Sequence, residues 1–410
     1  MSEQEQAKPS GPPPGNEPGT PDAPSGTAEP TDRPASVTGD VVDARGATVA
    51  PVDATADDAG LPILEQKRRG LRIGVQTIAF LIGILLLWWC ARQALSEDNR
   101  AQIQRLGEAS ITDVAAIAGL SLLSIILNGL VFWVAMRPVK RLSIVGTVAT
   151  NALASFLNYL PFKLSILCRV LIHSKRDGVP LLTIGAWFAG MGAVLLATYG
   201  PLVSVSLWRR GIDWVWLAAG FGGVALGLAT IVLVARLFAG ARGRDRIERL
   251  AERMLDRIDA RIARCLVRTR VFARLHAGLD MLASPWAVCG ESALWLGDLG
   301  VQATRFTIAA GILGVALPWQ DALLVASCYF LIGVASPAGQ LGTREAGTTA
   351  VAGVLGLAGG EDLAVVMLLA SAVESVVSLL SAGAAIVWLR PDQIFWGKKR
   401  PALAATEPRA

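Results

Sequence analysis

The chain has 410 residues, of which 53% are hydrophobic and 17% charged, and its formal net charge is +5. Several uncharged runs reach the ~20 residues that a helix needs to cross a hydrocarbon core, and they lack the alternation of membrane barrel strands. Five scattered cysteines and two histidines exclude a multi-histidine metal site and argue against a disulfide framework, so we expect no metal and no cofactor.

Residues 1 to 60 have the composition of a disordered tail. They are rich in Pro, Gly, Ala, Ser and Thr and contain 11 acids against three bases. Such a segment cannot bury enough apolar area to offset its chain entropy. Its charge of −8 leaves +13 on the rest of the chain, which favours anionic lipid headgroups as partners and not nucleic acid. The acidic tail is also a candidate contact for a protein partner.

Residues 61 to 390 predict an all-α polytopic membrane domain with about eight main spans. The spans run Ile73 to Ala91, Val114 to Met136, Leu142 to Leu160, Leu181 to Leu207, Val215 to Ala235, Ala287 to Leu317, Ala322 to Ala335 and Leu363 to Leu389. Two shorter apolar pieces, Phe162 to Ile172 and Thr348 to Leu357, follow proline-bearing turns. Each has about half the length of a span, so we predict re-entrant or broken helices. Residues 391 to 410 form a C-terminal tail.

The Lys and Arg residues near the spans predict the orientation. Bases precede span one at residues 67 to 72 and separate spans two and three at residues 137 to 141. Both termini are therefore expected on the cytoplasmic side of the cell (plasma or inner) membrane. Eight simple crossings would place the arginine-rich residues 236 to 286 outside. If each short piece also crosses, that stretch is cytoplasmic and the two halves form an inverted repeat, so both arrangements stay open.

Residues 236 to 286 predict a basic amphipathic connector. Apolar residues recur with a helical period from Ile247 to Leu266, and five arginines between Arg261 and Arg274 have no acid among them. This pattern predicts a helix that binds anionic headgroups at the membrane surface. The alternative is a solvated connector whose sides form salt bridges.

Two spans carry charged side chains on one face. In span six, Glu291, Asp298, Gln302 and Arg305 fall within a narrow stripe at 100° per residue. In span eight, Glu374 lies among serines on a single face. Ionisable groups at bilayer depth are expensive and face a bundle interior or a wet cavity, where they bind substrate or pair. The alternative is a salt bridge between Asp298 and Arg305 that only holds helices together.

Two polar turns precede the short pieces. The first motif contains Asn158, Pro161, Lys163 and Arg169, and the second contains Pro337, Gly339, Gly342, Arg344 and Glu345. Glycine lets the backbone approach a ligand closely, and N–H groups at a helix start attract phosphate. The bases could balance the charge of a lipid phosphodiester. Chain reversal alone also explains proline and glycine at such turns.

These motifs resemble the transmembrane, flippase-like domain of the lysylphosphatidylglycerol synthetase/flippase family, over roughly residues 70 to 390. In that family the first motif also contains a Gly-acid pair, which here falls on Ser165 and Ile166, and an arginine of the last span falls on Glu374. The resemblance implies movement or accommodation of a phospholipid or lipid-linked intermediate between leaflets. It does not imply aminoacylation, because members that make lysyl-lipids carry a soluble acyltransferase domain after the membrane part.

We therefore predict a lipid flippase or transporter. Its expected substrate-binding residues are Asn158, Pro161, Lys163, Arg169, Asp298, Arg305, Gly339, Gly342, Arg344, Glu345 and Glu374. The bases of the two motifs would hold phosphate, and a carboxylate would meet a headgroup amine or a coupling proton. The alternatives are an intramembrane lipid-modifying transferase that uses Glu345 and Asp298 as acid and base, and a membrane scaffold or regulatory subunit. Neither a nucleophile motif nor an ATP-binding loop occurs in the sequence, so a transporter is expected rather than an enzyme.

Overall fold

The computed structural model covers most of the predicted membrane domain. It describes residues 77–78, 81–89, 91–92, 95–97, 100–160, 163–209, 211–255, 276, 278–336, 339–357 and 362–390. Both predicted tails lie outside these ranges, as do Pro161, Pro337 and residues 256–275, the arginine-rich half of the connector. The predictions for the tails and for headgroup binding by the connector therefore stay predictions.

All regular elements within the described residues are helices, and we number twelve of them. They are α1 (residues 81–89), α2 (Arg100–Gly107), α3 (Ile111–Met136), α4 (Ile144–Leu157), α5 (Leu164–Lys175), α6 (Leu181–Arg209), α7 (Trp214–Phe238), α8 (Gly240–Leu255), α9 (Pro285–Leu313), α10 (Trp319–Ala335), α11 (Thr343–Leu355) and α12 (Asp362–Leu389). The predicted all-α fold is confirmed.

Four of these helices, α3, α6, α7 and α12, are long and apolar enough to cross a bilayer. Helix α9 is as long, with 29 residues, but carries the buried charges predicted for span six. Serine or aspartate N-caps at the starts of α3, α4, α7 and α9 accept hydrogen bonds from amides that would otherwise lack a partner. The chain is a multi-pass membrane protein.

Two of the predicted spans are shorter than a bilayer. Helices α4 and α10 have 14 and 17 residues, about 21 and 26 Å at 1.5 Å per residue, whereas the hydrocarbon core is ~30 Å thick. Each is followed by a turn and a second short helix, α5 or α11. Helix α11 begins at Thr343, five residues before the predicted piece, so Arg344 and Glu345 lie in its first turn.

Helices α4 and α5 form a hairpin that enters and leaves at one end of the bundle. A Cβ added to Gly146, in the first turn of α4, would lie 3.1 Å from the guanidinium of Arg176, which follows α5. The same guanidinium lies 4.7 Å from the ring centre of Trp388, near the end of α12. We call this end, where α3 finishes next to Arg137, the Arg137 end.

Helices α10 and α11 form a second hairpin from the opposite end. Leu355 and Leu357, where α11 finishes, share a small cavity with Gln320 in the first turn of α10. Leu207, near the end of α6, lines the same cavity. Helix α6 starts at the Arg137 end, so this cavity lies at the other end, which we call the Leu313 end because α9 finishes there. Both short pieces are therefore re-entrant.

Helices α3 and α9 run antiparallel along each other. Gly290, near the start of α9, faces Val134, near the end of α3. Fifteen residues further along α9, Arg305 donates a hydrogen bond to Ser121, nearer the start of α3. The two helices therefore cross the bilayer in opposite directions.

The helices α3 to α6 and α9 to α12 repeat the same order of long helix, short hairpin and long helix. The contacts follow the same relation. Helix α4 packs on α12 as α10 packs on α6, and α3 packs on α4 as α9 packs on α10. Helices α3 and α9 are antiparallel, so a two-fold axis that exchanges them must be perpendicular to both. Such an axis lies in the plane of the membrane. The described helices thus form an inverted pair, but its short helices re-enter, whereas the sequence hypothesis had each short piece cross the membrane.

The ends of the arginine-rich connector lie together. Arg236, at the end of α7, donates a hydrogen bond to the carbonyl of Ala283, just before α9. His276 contacts the carbonyl of Phe238 through its Nε2 atom. The connector therefore leaves and rejoins the bundle at the Arg137 end. Eight simple crossings would have placed this arginine-rich stretch on the side opposite residues 137 to 141, and the re-entrant hairpins remove that conflict.

Candidate functional site

The tips of the two hairpins meet in the middle of the bundle. The amide of Gln340 donates to the carbonyl of Asn158 at 3.0 Å. The ammonium of Lys163 donates to the carbonyl of Val334, near the end of α10, at 3.2 Å. Each hairpin therefore provides polar groups that satisfy the exposed helix end of the other.

Two glycines of the second tip are required by close backbone contacts, one with the first hairpin and one with α1. Gly339 has a φ of 105°, and a Cβ there would come within 3.0 Å of the Leu160 carbonyl oxygen. Gly342 has a φ of 74°, and its Cβ would lie 1.9 Å from the carbonyl oxygen of Gly83 in α1. Only glycine combines this backbone conformation with such contacts. These residues shape the tip, which explains them without a ligand.

A carboxylate on α12 joins two arginines from other helices. Glu374 Oε2 lies 2.8 Å from Arg305 Nη1 on α9, and Oε1 lies 2.9 Å from Arg344 Nη1 on α11. The hydroxyl of Tyr329 also donates to Oε2, at 3.3 Å. The sequence predicted Glu374 as a functional charge but could not name its partners. Buried charges persist only when they are paired and hydrogen-bonded, and this carboxylate meets that condition.

Arg344 is fully occupied by neighbours. Its Nε atom lies 3.1 Å from Oε1 of Glu345, and its Nη2 atom donates to the Tyr159 hydroxyl at 2.8 Å. Ser371 donates to the same Glu345 oxygen at 2.5 Å. The tip of the first hairpin and helices α11 and α12 are thus tied together around one guanidinium.

Asp298 does not form the direct salt bridge with Arg305 that was the alternative interpretation of span six. Ser124 donates to Asp298 Oδ1 at 2.5 Å, and Gln302 donates to the Ser124 hydroxyl oxygen at 3.1 Å. Arg305 donates in turn to the Gln302 oxygen at 2.6 Å. A continuous hydrogen-bonded chain therefore runs from Asp298 through Arg305 to Glu374.

Two carboxylate oxygens of this network have no hydrogen-bond partner within the described part of the chain. They are Oδ2 of Asp298 and Oε2 of Glu345, and both side chains are fully buried. An unsatisfied buried carboxylate oxygen is costly. A proton or a donor group of a ligand would be stabilised at either position.

A polar cavity of about 90 Å³ lies between the hairpin tips and this network, with room for several water molecules. Its polar lining consists of Ser121, Ser124, Asn128, Asn151, Ser155, Asn158, Arg169, Gln302, Tyr329, Gln340, Arg344, Glu374 and Ser378. These residues come from α3, α4, α5, α9, α10, α11 and α12 and from both hairpin tips. The inverted halves therefore share one central cavity.

Arg169 differs from the other arginines of the cavity. It is 7% exposed, and its guanidinium lies 3.9 Å from the ring centre of Phe132. None of the carboxylates in the described ranges lies within ion-pair distance of it. A buried cation without a carboxylate partner is a candidate site for an anion.

Comparison with known proteins identifies the domain. A family model described as "Lysylphosphatidylglycerol synthase TM region" matches residues 76–382, three quarters of the chain. The chain belongs to this family. No curated protein matches, and no solved structure matches. The matched residues of this family contain both hairpins and the central cavity, and the chain is a membrane protein related to lipid handling.

In this member of the lysylphosphatidylglycerol synthase TM family, the predicted site residues fall into three groups. Four line the central cavity: Asn158, Arg169, Arg344 and Glu374. Three more belong to the network beside it: Asp298, Arg305 and Glu345. The tip residues Lys163, Gly339 and Gly342 hold backbone contacts, and Pro161 lies outside the described residues.

Glu291 lies apart from this group. It accepts a hydrogen bond from Trp295 at 3.3 Å and borders a small apolar cavity with Trp187 and Met281. The sequence argument missed the uncharged polar residues of the site, among them Ser124, Asn151, Tyr159, Tyr329 and Gln340. Polar side chains inside spans two and three were a usable signal, because they seldom face lipid.

Proposed function

We propose that this protein moves a phospholipid or a lipid-linked intermediate between the two leaflets. The headgroup occupies the central cavity while the acyl chains stay in the bilayer. Two re-entrant hairpins that approach from opposite ends support this proposal, because a site at the midplane between inverted halves is the arrangement of many transporters. The bases between Arg137 and Arg141 support a cytoplasmic position for the Arg137 end.

The observation that carries this proposal is that Arg169 lines the cavity, is buried and has no carboxylate partner among the described residues. Arg344 in the cavity wall and Arg305 beside it are neutralised by Glu374 and Glu345, so their charge is already balanced. The Arg169 guanidinium retains its charge for a ligand. A phosphodiester supplies the matching charge and acceptor oxygens, and it is common to phospholipids and lipid-linked intermediates.

The proposal predicts that lipid movement depends on Arg169. The purified protein would be reconstituted into liposomes that contain a fluorescent phosphatidylglycerol, and the rate of transbilayer movement would be measured. We expect Arg169→Gln to lower this rate at least about tenfold, since a hydrogen bond to a charged group contributes about 1.5–3 kcal/mol. Arg169→Lys keeps the charge and should retain part of the rate.

Arg209→Gln is the matched control, because Arg209 is an exposed arginine that pairs with Asp213 outside the cavity. It should move lipid at the wild-type rate. A wild-type rate equal to that of protein-free liposomes removes the transport proposal. A wild-type rate retained by Arg169→Gln removes the role of Arg169. Repeating the assay with a fluorescent polyprenyl phosphate distinguishes a phospholipid from a lipid-linked substrate.

A further inference from the structure

A second cavity lies on the outer face of the bundle, between α7 and α9. Helix α7 packs closely on α6, because a Cβ added to Gly223 would lie 2.7 Å from Pro201 Cβ and one added to Gly227 would lie 3.2 Å from Ala197 Cβ. None of the described helices covers its other face, and only 17% of its most apolar 18-residue segment is buried. The two helices α7 and α9 make few contacts, which leaves a groove between them.

The groove has the size and lining of an acyl-chain site. Its volume is about 740 Å³, and its lining is mostly apolar, including the small residues Ala225, Ala229 and Ala293. It extends along α7 from Phe221 to Arg236, roughly 22 Å at 1.5 Å per residue. One leaflet contributes about 15 Å of hydrocarbon, so the groove is long enough for an acyl chain.

A cation closes the groove at the Arg137 end. Arg236 lines the groove there and is exposed, and only its Nε atom donates to the Ala283 carbonyl. None of the described carboxylates forms an ion pair with it. Trp286, which is 57% exposed and lies 5.5 Å from the Arg137 guanidinium, marks the same depth. Exposed tryptophans next to bases are typical of the headgroup level.

We propose that this groove binds one anionic phospholipid from the leaflet at the Arg137 end. Its acyl chain lies between α7 and α9, and its phosphate pairs with Arg236. This site is separate from the central cavity, because Ala293 and Leu296 of α9 face the groove while Asp298 and Gln302 point to the network on α3. The apolar walls select for a chain, and the single cation at one end selects for a negative headgroup.

Native mass spectrometry of the full-length protein in detergent tests this proposal. After incubation with phosphatidylglycerol, the wild type should retain one more lipid per chain than Ala229→Trp, whose indole fills the groove. Leu226→Trp is the matched control, because Leu226 lies one turn away on the same helix, is 70% exposed and does not line the groove. Equal retention by wild type and Ala229→Trp would overturn the proposal.

The headgroup contact has its own test in the same measurement. Arg236→Gln should lower the retention of phosphatidylglycerol at least about fivefold and leave that of phosphatidylcholine unchanged. Unchanged retention of both lipids contradicts the phosphate contact. Lipid retention is measured without transport, so its failure leaves the transport proposal standing, and the reverse also holds.

Cys289 provides an independent probe, since it is an exposed free cysteine in the groove wall. In a variant with the other four cysteines changed to serine, a fluorophore on Cys289 should be quenched by phospholipids brominated along the acyl chain. Weak quenching would mean that no acyl chain lies beside Cys289 and would overturn the proposal. An oxidative disulfide between Cys289 of two copies would overturn it as well, because a second copy would then cover the groove.

Discussion

The three buried arginines in and beside the cavity have different environments, and this difference makes Arg169 the candidate for substrate binding. Arg305 and Arg344 share Glu374, whereas Arg169 has an aromatic ring and the open cavity. The sequence indicated that these charges lie inside the membrane, because a charge within an apolar run is visible directly. It could not indicate the pairs, because pairing depends on the depth and rotation of helices that are far apart in the chain.

Glu374 is expected to be the most sensitive position for stability. Glu374→Gln leaves two buried arginines with a neutral partner, and removing one member of a buried ion pair costs about 3–5 kcal/mol. The measurement is thermal or denaturant unfolding in detergent, with a fall in the free energy of unfolding of that order.

The double variant Glu374→Gln with Arg305→Gln distinguishes charge from packing. It should recover part of the loss, because the Arg305 cation that lost its partner is also removed, while Arg344 stays paired with Glu345. A double variant that loses the full sum of two single substitutions would show that the pair is not coupled, and would contradict the arrangement of this cluster.

At the level of the helices, the sequence patterns predicted the re-entrant hairpins only in part. Proline and half-length apolar runs predicted two broken pieces, and the structure has them at α5 and α11. The pattern did not reveal that α4 and α10 also stop at mid-depth, because the apolar sequence of α4 continues through Tyr159 and Leu160 into the turn. Hydropathy measures the length of an apolar run and not the point where the chain turns back.

Lys163 is expected to hold the two hairpin tips together. It caps the carbonyl of Val334 and adopts a left-handed conformation with a φ of 49°. Lys163→Met removes the hydrogen bond and should lower the free energy of unfolding by about 1 kcal/mol. Lys175→Met, on the exposed end of the same helix, should stay within about 0.5 kcal/mol of the wild type. Equal effects of the two variants in denaturant unfolding would argue against the contact between the tips.

At the scale of the whole molecule, the inverted relation of α3–α6 and α9–α12 accounts for the charge distribution. Because both hairpins return to the end from which they enter, the two ends of the connector and residues 137 to 141 lie at the same end. The sequence offered two arrangements and favoured neither, since the Lys and Arg bias fixes the sides of loops but does not count crossings. The structure follows neither arrangement. The halves are inverted, because α3 and α9 are antiparallel and exchange their neighbours, but α4–α5 and α10–α11 return as hairpins instead of crossing.

Topology is therefore the sharpest test of the fold. Single cysteines at Lys140, Lys175 and Arg209, each in a cysteine-free background, would be labelled with a membrane-impermeant maleimide in sealed, oriented vesicles. Lys140→Cys and Lys175→Cys should react from the same side, because α4 and α5 return to the Arg137 end, and Arg209→Cys should react only from the other side. Labelling of Lys140→Cys and Lys175→Cys from opposite sides would mean that one arm of the first hairpin crosses alone. In that case the two halves could not share one cavity at the midplane, since the tip that carries Asn158 would lie at the membrane surface and not beside Gln340.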